Sequence, residues 1–425
     1  VYQIYPLGLC DAPEYNDGVC EHRILKLLDW VEHIRALNMT CVLLNPVFES
    51  DKHGYDTRDY FRVDCRLGTG EDLKQVCDAF HDAGIRVMLD GVFNHVGRGF
   101  WAFEDVRQKK WDSPYKNWFH LSFDGNTEYN DGFWYEGWEG HNELVKLNLN
   151  DPAVVDHLFA AVKRWVEEYG IDGLRLDVAY CLSPDFLAKL RGFTDSLKPE
   201  FVLMGETLHG DYNRWMNDHS VTNYECYKGL YSSFNSMNMF EIGHSLNRQF
   251  GPEPWTLYKS KHLLAFLDNH DVERIASILA NPAHIRPAYG LLFGMPGTPA
   301  VYYGSEWGQT GRKRDGDAAL RPALERSQNN ELTEWVAALA AARASSPALC
   351  EGDYRTLALT NRQLVFQRAV DGERVIVAVN AGGEEYTAHF DAGAGRATDL
   401  ITGKPHDFGG GSRLAPYSVY FWRTE

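Results

Sequence analysis

The stretch GLRLDVAY, residues 173–180, holds the side chains with the clearest chemical potential. It predicts a short buried strand from Gly173 to Leu176 that carries Asp177 at its C-terminal tip, with Arg175 two residues earlier and therefore on the same side. A guanidinium beside a carboxylate favours the ionised form, which a nucleophile needs. Taken alone, this pattern is more typical of an ordinary ion pair, so the interpretation depends on the other strand ends.

Three further predicted strands also end in acidic or imidazole side chains. The segments DGVFNH, GET and FLDNHD supply them: Asp90, Asn94, His95, Glu206, His270 and Asp271. Clustered like charges cost stability unless something uses them. Two such carboxyl groups suit retaining glycosyl transfer, in which one attacks the anomeric carbon and the other protonates the leaving oxygen. Asp177 suits the first role, and Glu206, crowded by the other carboxylates, suits the second.

Apolar strands that alternate with amphipathic helices must bring these residues together. The helical spacing from Leu73 to Phe80 stops at Gly84, and a helix that begins at Asp151-Pro152 ends at Gly170. The predicted strands are 1–6, 40–46, 85–89, 173–176, 201–204, 221–225, 263–267 and 299–303. Eight such strands predict an α/β fold, a (β/α)8 TIM barrel whose strand ends converge on one face. A doubly wound open sheet is the alternative, although no Gly-rich phosphate loop follows the first strand.

The alternation breaks twice. Nearly sixty residues rich in Trp, Phe, Tyr and Gly follow Asn94 without a helix–strand unit, which predicts a small lobe inserted after strand 3. Near the C-terminus, LVFQRAV and RVIVAVN flank Asp371-Gly372, a hairpin signal that predicts an antiparallel β-sandwich. The predicted parts are therefore 1–95 with 151–345 as the barrel, 96–150 as the lobe and 346–425 as the C-terminal domain.

Composition excludes several classes of partner. The 425 residues carry 42 Lys+Arg and 59 Asp+Glu, a net charge of -17, so nucleic acid and anionic membranes are not expected to bind. No apolar run reaches the roughly 18 residues of a membrane span, although the chain begins at Val1 without Met. Eight cysteines lie scattered without C-x-x-C pairs, which predicts a reducing, cytoplasmic location.

The segments DGVFNH, GLRLDVAY, GET and FLDNHD resemble, in this order, the four sequence regions of the alpha-amylase family. The resemblance covers the barrel to about Arg321 and, more loosely, the C-terminal domain. It implies that Asp177 is the nucleophile, Glu206 the general acid/base and Asp271 a third carboxylate that orients the sugar hydroxyls. It also implies that three further residues bind the sugar at the cleavage subsite: His95, Arg175 and His270.

HGYDTRDY, residues 53–60, resembles the family's loop after strand 2. That resemblance implies that Tyr55 stacks under the sugar and that Asp56 braces the site. DAALRP resembles the D-x-x-x-R pattern of related enzymes, which implies that Asp317 and Arg321 lie near the non-reducing end of the substrate. An exposed loop ion pair would give the same pattern.

LVKLN, residues 144–148, is similar to the fifth region of the neopullulanase, cyclomaltodextrinase and maltogenic amylase group. The preceding WYEGWEG also resembles that group. Its Trp134 and Trp138 could stack on glucose rings, or they could hold the lobe together. Many family members bind calcium between barrel and lobe through the Asn94 position and a histidine where this chain has Cys181, a thiol that suits a hard cation poorly. We therefore expect no cofactor, while a calcium site elsewhere stays open.

These features predict a retaining glycosidase whose partner is an oligosaccharide. The expected substrates are maltooligosaccharides, cyclodextrins or related α-glucans, cleaved at α-1,4 bonds. An α-glucan transglycosylase on the same fold is the alternative, because the sequence does not show whether water or a sugar hydroxyl resolves the intermediate. A non-catalytic carbohydrate-binding relative is a third reading, opposed by the presence of all three carboxylates. Chain-length preference and oligomeric state do not follow from the sequence.

Overall fold

The computed structural model describes residues 1–215 and 219–425. Its centre is an eight-stranded sheet in which all neighbouring strands are parallel, in the order 6-5-4-3-2-1-8-7. A parallel bridge from Thr222 to Leu264 joins strands 6 and 7 and closes the ring. The predicted TIM barrel is thus confirmed, and the open sheet is excluded. Barrel strands 1 to 8 are Tyr2–Ile4, Cys41–Leu44, Arg86–Gly91, Gly173–Leu176, Val202–Gly205, Ser220–Val221, Leu264–Phe266 and Thr298–Tyr302.

Helices surround the barrel. Two boundaries follow the predicted capping chemistry: the Asp151 side chain accepts the N–H of Ala153 at 2.9 Å, and Gly170 ends the same helix in the left-handed region at φ 66°. The α-helices are Pro6–Leu9, Val31–Ala36, Gly70–Asp82, Trp101–Lys109, Pro152–Tyr169, Pro184–Leu197, Tyr224–Asn235, Phe240–Phe250, Ile275–Ile278, Ile285–Gly294, Asp317–Leu320, Glu331–Ala344 and Pro347–Glu351. Across the described ranges, none of the helices combines the length and the apolar character that a membrane span requires.

Two elements differ from the predicted ones. Strand 6 is only Ser220–Val221, because Asn223 accepts the N–H of Cys226 through its side chain and starts a helix where the strand was expected to continue. The helical spacing of the apolar residues from Ile24 to Leu37 predicts one helix. The structure instead has a 3-10 helix, Arg23–Trp30, followed by an α-helix that begins at Val31.

The segment after strand 3 forms the predicted lobe, and it contains a helix, Trp101–Lys109, that the aromatic-rich sequence did not predict. This helix packs Phe103 against Tyr135 and Phe133, with ring centroids 4.9 and 6.1 Å apart. The strands of this segment and of the loop after strand 2 are Phe48–Ser50, Thr57–Val63, His95–Gly97, Leu121–Ser122, Trp134–Tyr135, Gly137–Trp138 and His141–Lys146. The aromatic packing of the lobe is therefore continuous with the hydrophobic core of the barrel.

The C-terminal part is antiparallel, as predicted. The hairpin of Gln363–Val370 with Glu373–Asn380 turns at Asp371-Gly372, both of which have positive φ. A six-stranded sheet and a two-stranded sheet form the sandwich. Its other strands are Asp353–Leu359, Tyr386–Ala388, Arg396–Asp399, Pro405–Asp407, Ser412–Leu414 and Ser418–Thr424. The division of the chain at residues 95, 150 and 345 stays a prediction.

Candidate active site

Arg175 lies at the centre of a polar cluster at the C-terminal end of the barrel and is 3% exposed. Its Nη1 donates to both carboxylate oxygens of Asp90 at 2.7 Å and lies 3.2 Å from Oδ1 of Asp177. Its Nη2 lies 2.9 Å from Oε1 of Glu206. The register of strands 3 and 4 pairs Arg175 directly with Asp90. One guanidinium therefore holds three buried carboxyl groups from three successive strands at one point.

The carboxyl groups of Asp177 and Glu206 do not have equal surroundings. Burial raises the pKa of the Asp177 carboxyl well above its usual range, Glu206 raises it further, and Arg175 opposes both effects. Glu206 receives two short contacts, from Arg175 and from the main-chain N–H of Val178 at 2.9 Å, whereas Asp177 receives the longer contact from the guanidinium. Arg175 therefore favours the ionised form of Asp177, as predicted, whereas burial and Glu206 act against it and raise the pKa of this carboxyl group. The role of Asp177 as the nucleophile stays a prediction.

Val178, directly after Asp177, has an unusual backbone conformation. It lies in the left-handed region, with φ 41° and ψ 46°, which costs free energy for a β-branched residue. In this conformation its N–H points at Oε2 of Glu206. The strained turn therefore provides a fixed main-chain donor to the second carboxyl group, a feature that the sequence analysis missed.

The third carboxylate, Asp271, is held from two sides. His270 Nε2 lies 3.0 Å from Oδ2, and Arg321 Nη2 donates to Oδ1 at 2.8 Å. Burial opposes ionisation, but His270 and Arg321 hold the pKa of the Asp271 carboxyl below its usual range. With 38% of its side chain exposed, Asp271 presents a permanent negative charge to the barrel opening.

A hydrogen-bonded network supports the cluster from the barrel interior. The Tyr55 hydroxyl donates to Asp90 at 2.9 Å and lies 2.6 Å from Nε2 of His270, on which its ring stacks at 5.6 Å. Asn45 donates to Asp90 at 3.0 Å, and Gln3 donates to Asn45 at 2.9 Å and lies 3.0 Å from Nδ1 of His270. Gln3 and Asn45 were not predicted as site residues, although each is a polar residue within an otherwise apolar strand segment.

His95 and Trp138 lie on the lobe side of the cluster. Nε2 of His95 is 3.8 Å from Oδ2 of Asp177, and the His95 and Trp138 rings are 5.9 Å apart. Burial lowers the pKa of His95 to about 3, so its imidazole is neutral at physiological pH. Both side chains also have neighbours within the protein, because the His95 imidazole interacts with the main chain of Tyr55 and the Trp138 side chain interacts with Cys181. A neutral imidazole and an indole therefore line the lobe side of the cluster.

Three predicted residues lie further from the carboxyl groups. Asp56 accepts the main-chain N–H groups of His53 and Gly54, both at 3.1 Å, so it braces the loop. Trp134 is 42% exposed, and no hydrogen bond or ring contact in the described part of the chain joins it to the cluster. Asp317 accepts from Lys313 at 2.7 Å and lies 3.7 Å from Arg321.

A cavity of about 600 Å³ adjoins Arg321, a volume within the usual range for ligand sites. Loops that follow barrel strands 1, 2 and 8 enclose it. Its lining residues include Tyr5, Leu7, Pro13, Lys52, His53 and Asp317. Tyr5 stacks on His270 at 6.1 Å, and Arg321 lies over the Tyr5 ring at 4.7 Å, so these two lining residues connect the wall of the cavity to the cluster.

The donors at the calcium position implied by the family resemblance do not fit calcium. The Asn94 amide nitrogen lies 3.1 Å from Nδ1 of His95, and Cys181 offers sulfur where a hard cation takes oxygen. Elsewhere in the described ranges, Glu49, Asp64 and Cys65 bring potential ligand atoms within 4.8 Å of one another. Both carboxylate oxygens of Asp64 are occupied by Arg66, however, at 2.9 and 2.7 Å.

Several known proteins are similar to this chain in sequence and in fold. Residues 3–348 match the family model of the alpha amylase catalytic domain. The chain is 32% identical over 439 aligned residues to neopullulanase 2 of Thermoactinomyces vulgaris. The alignment covers 95% of this chain and 73% of the neopullulanase. The chain is 31% identical over 393 residues to a cyclomaltodextrinase of Geobacillus thermopakistaniensis (89% and 66%).

A solved structure is similar over the whole chain. The ligand-free cyclic alpha-maltosyl-(1→6)-maltose hydrolase of Arthrobacter globiformis matches with a TM-score of 0.85 and 27% identity, covering 100% of this chain and 98% of that one. The chain spans only about two thirds of the length of several curated relatives that it matches.

Proposed function

Because this chain belongs to the alpha-amylase family, we propose that it is a retaining glycoside hydrolase that cleaves α-1,4-glucosidic bonds of maltooligosaccharides, cyclodextrins or related α-glucans. One observation carries the proposal: the Arg175 guanidinium contacts both Asp177 and Glu206, so two buried carboxyl groups from neighbouring strands lie side by side at the barrel opening. Paired carboxyl groups at close range are what double displacement requires.

In the proposed reaction, Asp177 attacks the anomeric carbon while Glu206 protonates the leaving oxygen. Glu206 then removes a proton from water, and the resulting hydroxide releases the sugar from Asp177. The reaction begins with Asp177 ionised and Glu206 protonated, although burial and Glu206 raise the pKa of the Asp177 carboxyl. Arg175, in contact with both groups, stabilises the negative charge of Asp177 before the attack and that of Glu206 after it has given up its proton.

Other residues of the cluster are proposed to bind the sugar. Asp271 accepts hydrogen bonds from sugar hydroxyls, His95 and His270 contact hydroxyls through their ring nitrogens, and Tyr55 provides a flat ring beside the cleaved unit. Trp138 contributes an indole ring on the lobe side of the cluster. Arg321 orients Asp271 and, with Asp317, lines the cavity for further glucosyl units, while Asp56 braces the loop. The position of Trp134 supports at most a peripheral contact.

The two carboxyl groups and water balance the reaction, so the proposal uses no cofactor. The eight cysteines are free thiols in the structure, which supports the proposal that the enzyme works in a reducing compartment such as the cytoplasm. An uncharged oligosaccharide is the proposed partner, consistent with the net charge of -17.

Time-resolved product analysis tests the proposal with maltoheptaose, panose, β-cyclodextrin and sucrose, the product anomer being followed by NMR. We expect the α-anomer to appear first from at least one of the α-1,4-linked glucans, and Asp177→Asn to lower turnover by at least about 10³-fold. Asp195→Asn, which alters an exposed carboxylate on the surface of a barrel helix, is the matched control. A β-anomer as first product, or an Asp177→Asn variant that keeps a hundredth of the activity, would refute the proposal. Products longer than the supplied glucan would favour the transglycosylase.

A further inference from the structure

Cys20 and Cys65 come from two backbone segments that run side by side. The N–H of Glu21 donates to the carbonyl of Cys65 at 3.1 Å, and the N–H of Ile24 donates to that of Leu67 at 2.8 Å. Both cysteines line one surface groove of about 290 Å³. Cys20 is exposed and Cys65 is 2% exposed, so one thiol meets solvent directly and the other lies behind it.

The surroundings of Cys65 provide a proton acceptor. Its Sγ lies 3.2 Å from Oδ1 of Asn16 and 3.6 Å from Oε1 of Glu49, whose other oxygen accepts the N–H of Cys65 at 2.9 Å. Burial, Glu49 and Asp64 raise the pKa of the Cys65 thiol to about 12, and Cys20 also contributes, which places the two thiols within electrostatic reach. Cys65 is therefore a protonated thiol that does not react first with an oxidant.

We propose that Cys20 and Cys65 are a redox-sensitive pair that hydrogen peroxide converts into a disulfide. Peroxide transfers an oxygen to the exposed sulfur of Cys20, which gives a sulfenic acid and one water. The sulfur of Cys65 then attacks that of Cys20 as its proton passes to the Glu49 carboxylate. The sulfenic hydroxide leaves, takes this proton and departs as a second water. Two thiols are oxidised by two electrons, and one peroxide is reduced to two waters.

The cross-link would act on the loop that follows barrel strand 1, which forms part of the wall of the cavity that adjoins Arg321. Residues 11–14 of this loop line that cavity. Arg66, the neighbour of Cys65, donates to the carbonyls of Pro13 and Glu14 at 2.8 and 3.0 Å, and Asn16 donates to Glu49 at 2.8 Å. A disulfide between residues 20 and 65 would therefore fix the base of the loop covalently. In a reducing compartment it would form only transiently, as expected of a redox-sensing bond.

The experiment oxidises the purified full-length chain with hydrogen peroxide, alkylates the remaining thiols under denaturing conditions and maps the peptides by mass spectrometry. We expect two of the eight thiols to be lost, a peptide that links Cys20 to Cys65, and recovery of both thiols with dithiothreitol. Cys20→Ser and Cys65→Ser should each abolish the linked peptide. Cys350→Ser, which removes a half-buried thiol elsewhere in the chain, should behave as the wild type.

Two results would overturn the proposal. One is an unchanged yield of alkylated Cys65 after oxidation. The other is conversion of Cys20 to a sulfinic acid while Cys65 stays free. If Cys65→Ser does not fold, Cys20→Ser decides the question alone, because Cys20 is exposed and its replacement must leave Cys65 a free thiol after peroxide treatment. This readout is independent of any glycosidase activity.

Discussion

Arg321 and Asp271, 50 positions apart in the chain, form a direct ion pair at the barrel opening, with Nη2 at 2.8 Å from Oδ1. The Nε of the same guanidinium donates to the main-chain carbonyl of His270 at 3.0 Å, so the arginine holds both the carboxylate and the backbone that carries it. Arg321 was expected near the non-reducing end of the substrate. Its position in contact with the third carboxylate gives it a second role, which is to orient Asp271.

Replacing Arg321 with Met should lower kcat/KM by about 10-fold or more while the fold is retained, because Asp271 loses the donor that fixes its orientation. The pKa of Asp271 should rise, since Arg321 is one of the groups that hold it low. The acid limb of the pH–rate profile should therefore move to higher pH. Lys313→Ala, which removes an exposed partner of Asp317, is the matched control and should leave that limb in place. An Arg321→Met profile identical to the wild type would show that the ion pair does not support activity.

Tyr55→Phe removes the hydroxyl of Tyr55 and keeps its ring, so this variant tests the role of the hydroxyl alone. The hydroxyl joins Asp90 to His270, so its loss should reduce kcat by about 10-fold and destabilise the protein by about 1–2 kcal/mol, since buried polar groups lose a partner. Tyr60→Phe is the control, because it removes a buried hydroxyl that donates to the main chain at Val92. Steady-state kinetics and thermal unfolding of both variants provide the measurement. If the two variants lose the same fraction of kcat, the network around Tyr55 has no specific role in the reaction.

Asp177→Asn should stabilise the protein, and the gain should grow with pH. The folded-state pKa of Asp177 is raised above its ordinary 3.8. The contribution of this carboxyl group to the free energy of unfolding is therefore complete below about pH 4, and it is lost as the pH rises through the folded-state pKa. Asn does not titrate. The Tm of the variant should therefore exceed that of the wild type by more at pH 7 than at pH 4. A Tm difference that is constant, or that shrinks as pH rises, would show that burial and Glu206 do not raise the pKa of the Asp177 carboxyl.

The positions of the main carboxyl groups could be predicted from sequence because strand ends are recognisable from local patterns. A buried strand of period two fixes that Arg175 and Asp177 share a side, and barrel closure then brings distant strand ends together. Gln3 and Asn45 could not be assigned in the same way. Their partners depend on which strands become neighbours and how far their side chains reach, and neither is visible in a single strand.

Other features depended on context that no local pattern carries. In a two-residue strand such as Trp134–Tyr135, alternation places the two rings on opposite faces, but only the fold of the lobe decides that Tyr135 is buried and Trp134 exposed. The pKa of Asp177 depends on context in the same way. The sequence showed Arg175 nearby, whereas the balance depends on burial, on Glu206 and on how the guanidinium divides its contacts among three carboxyl groups.

Trapping of the glycosyl-enzyme tests most directly whether Asp177 forms the covalent bond. A Glu206→Gln variant, slowed in the release step, would be incubated with an activated fluorinated maltosyl fluoride, digested and mapped by mass spectrometry. We expect one added glycosyl group on the peptide that contains Asp177, and no adduct when Asp177→Asn is combined with Glu206→Gln. An adduct on a different residue, or an unmodified chain that nevertheless releases fluoride, would contradict the assignment of Asp177 as the nucleophile.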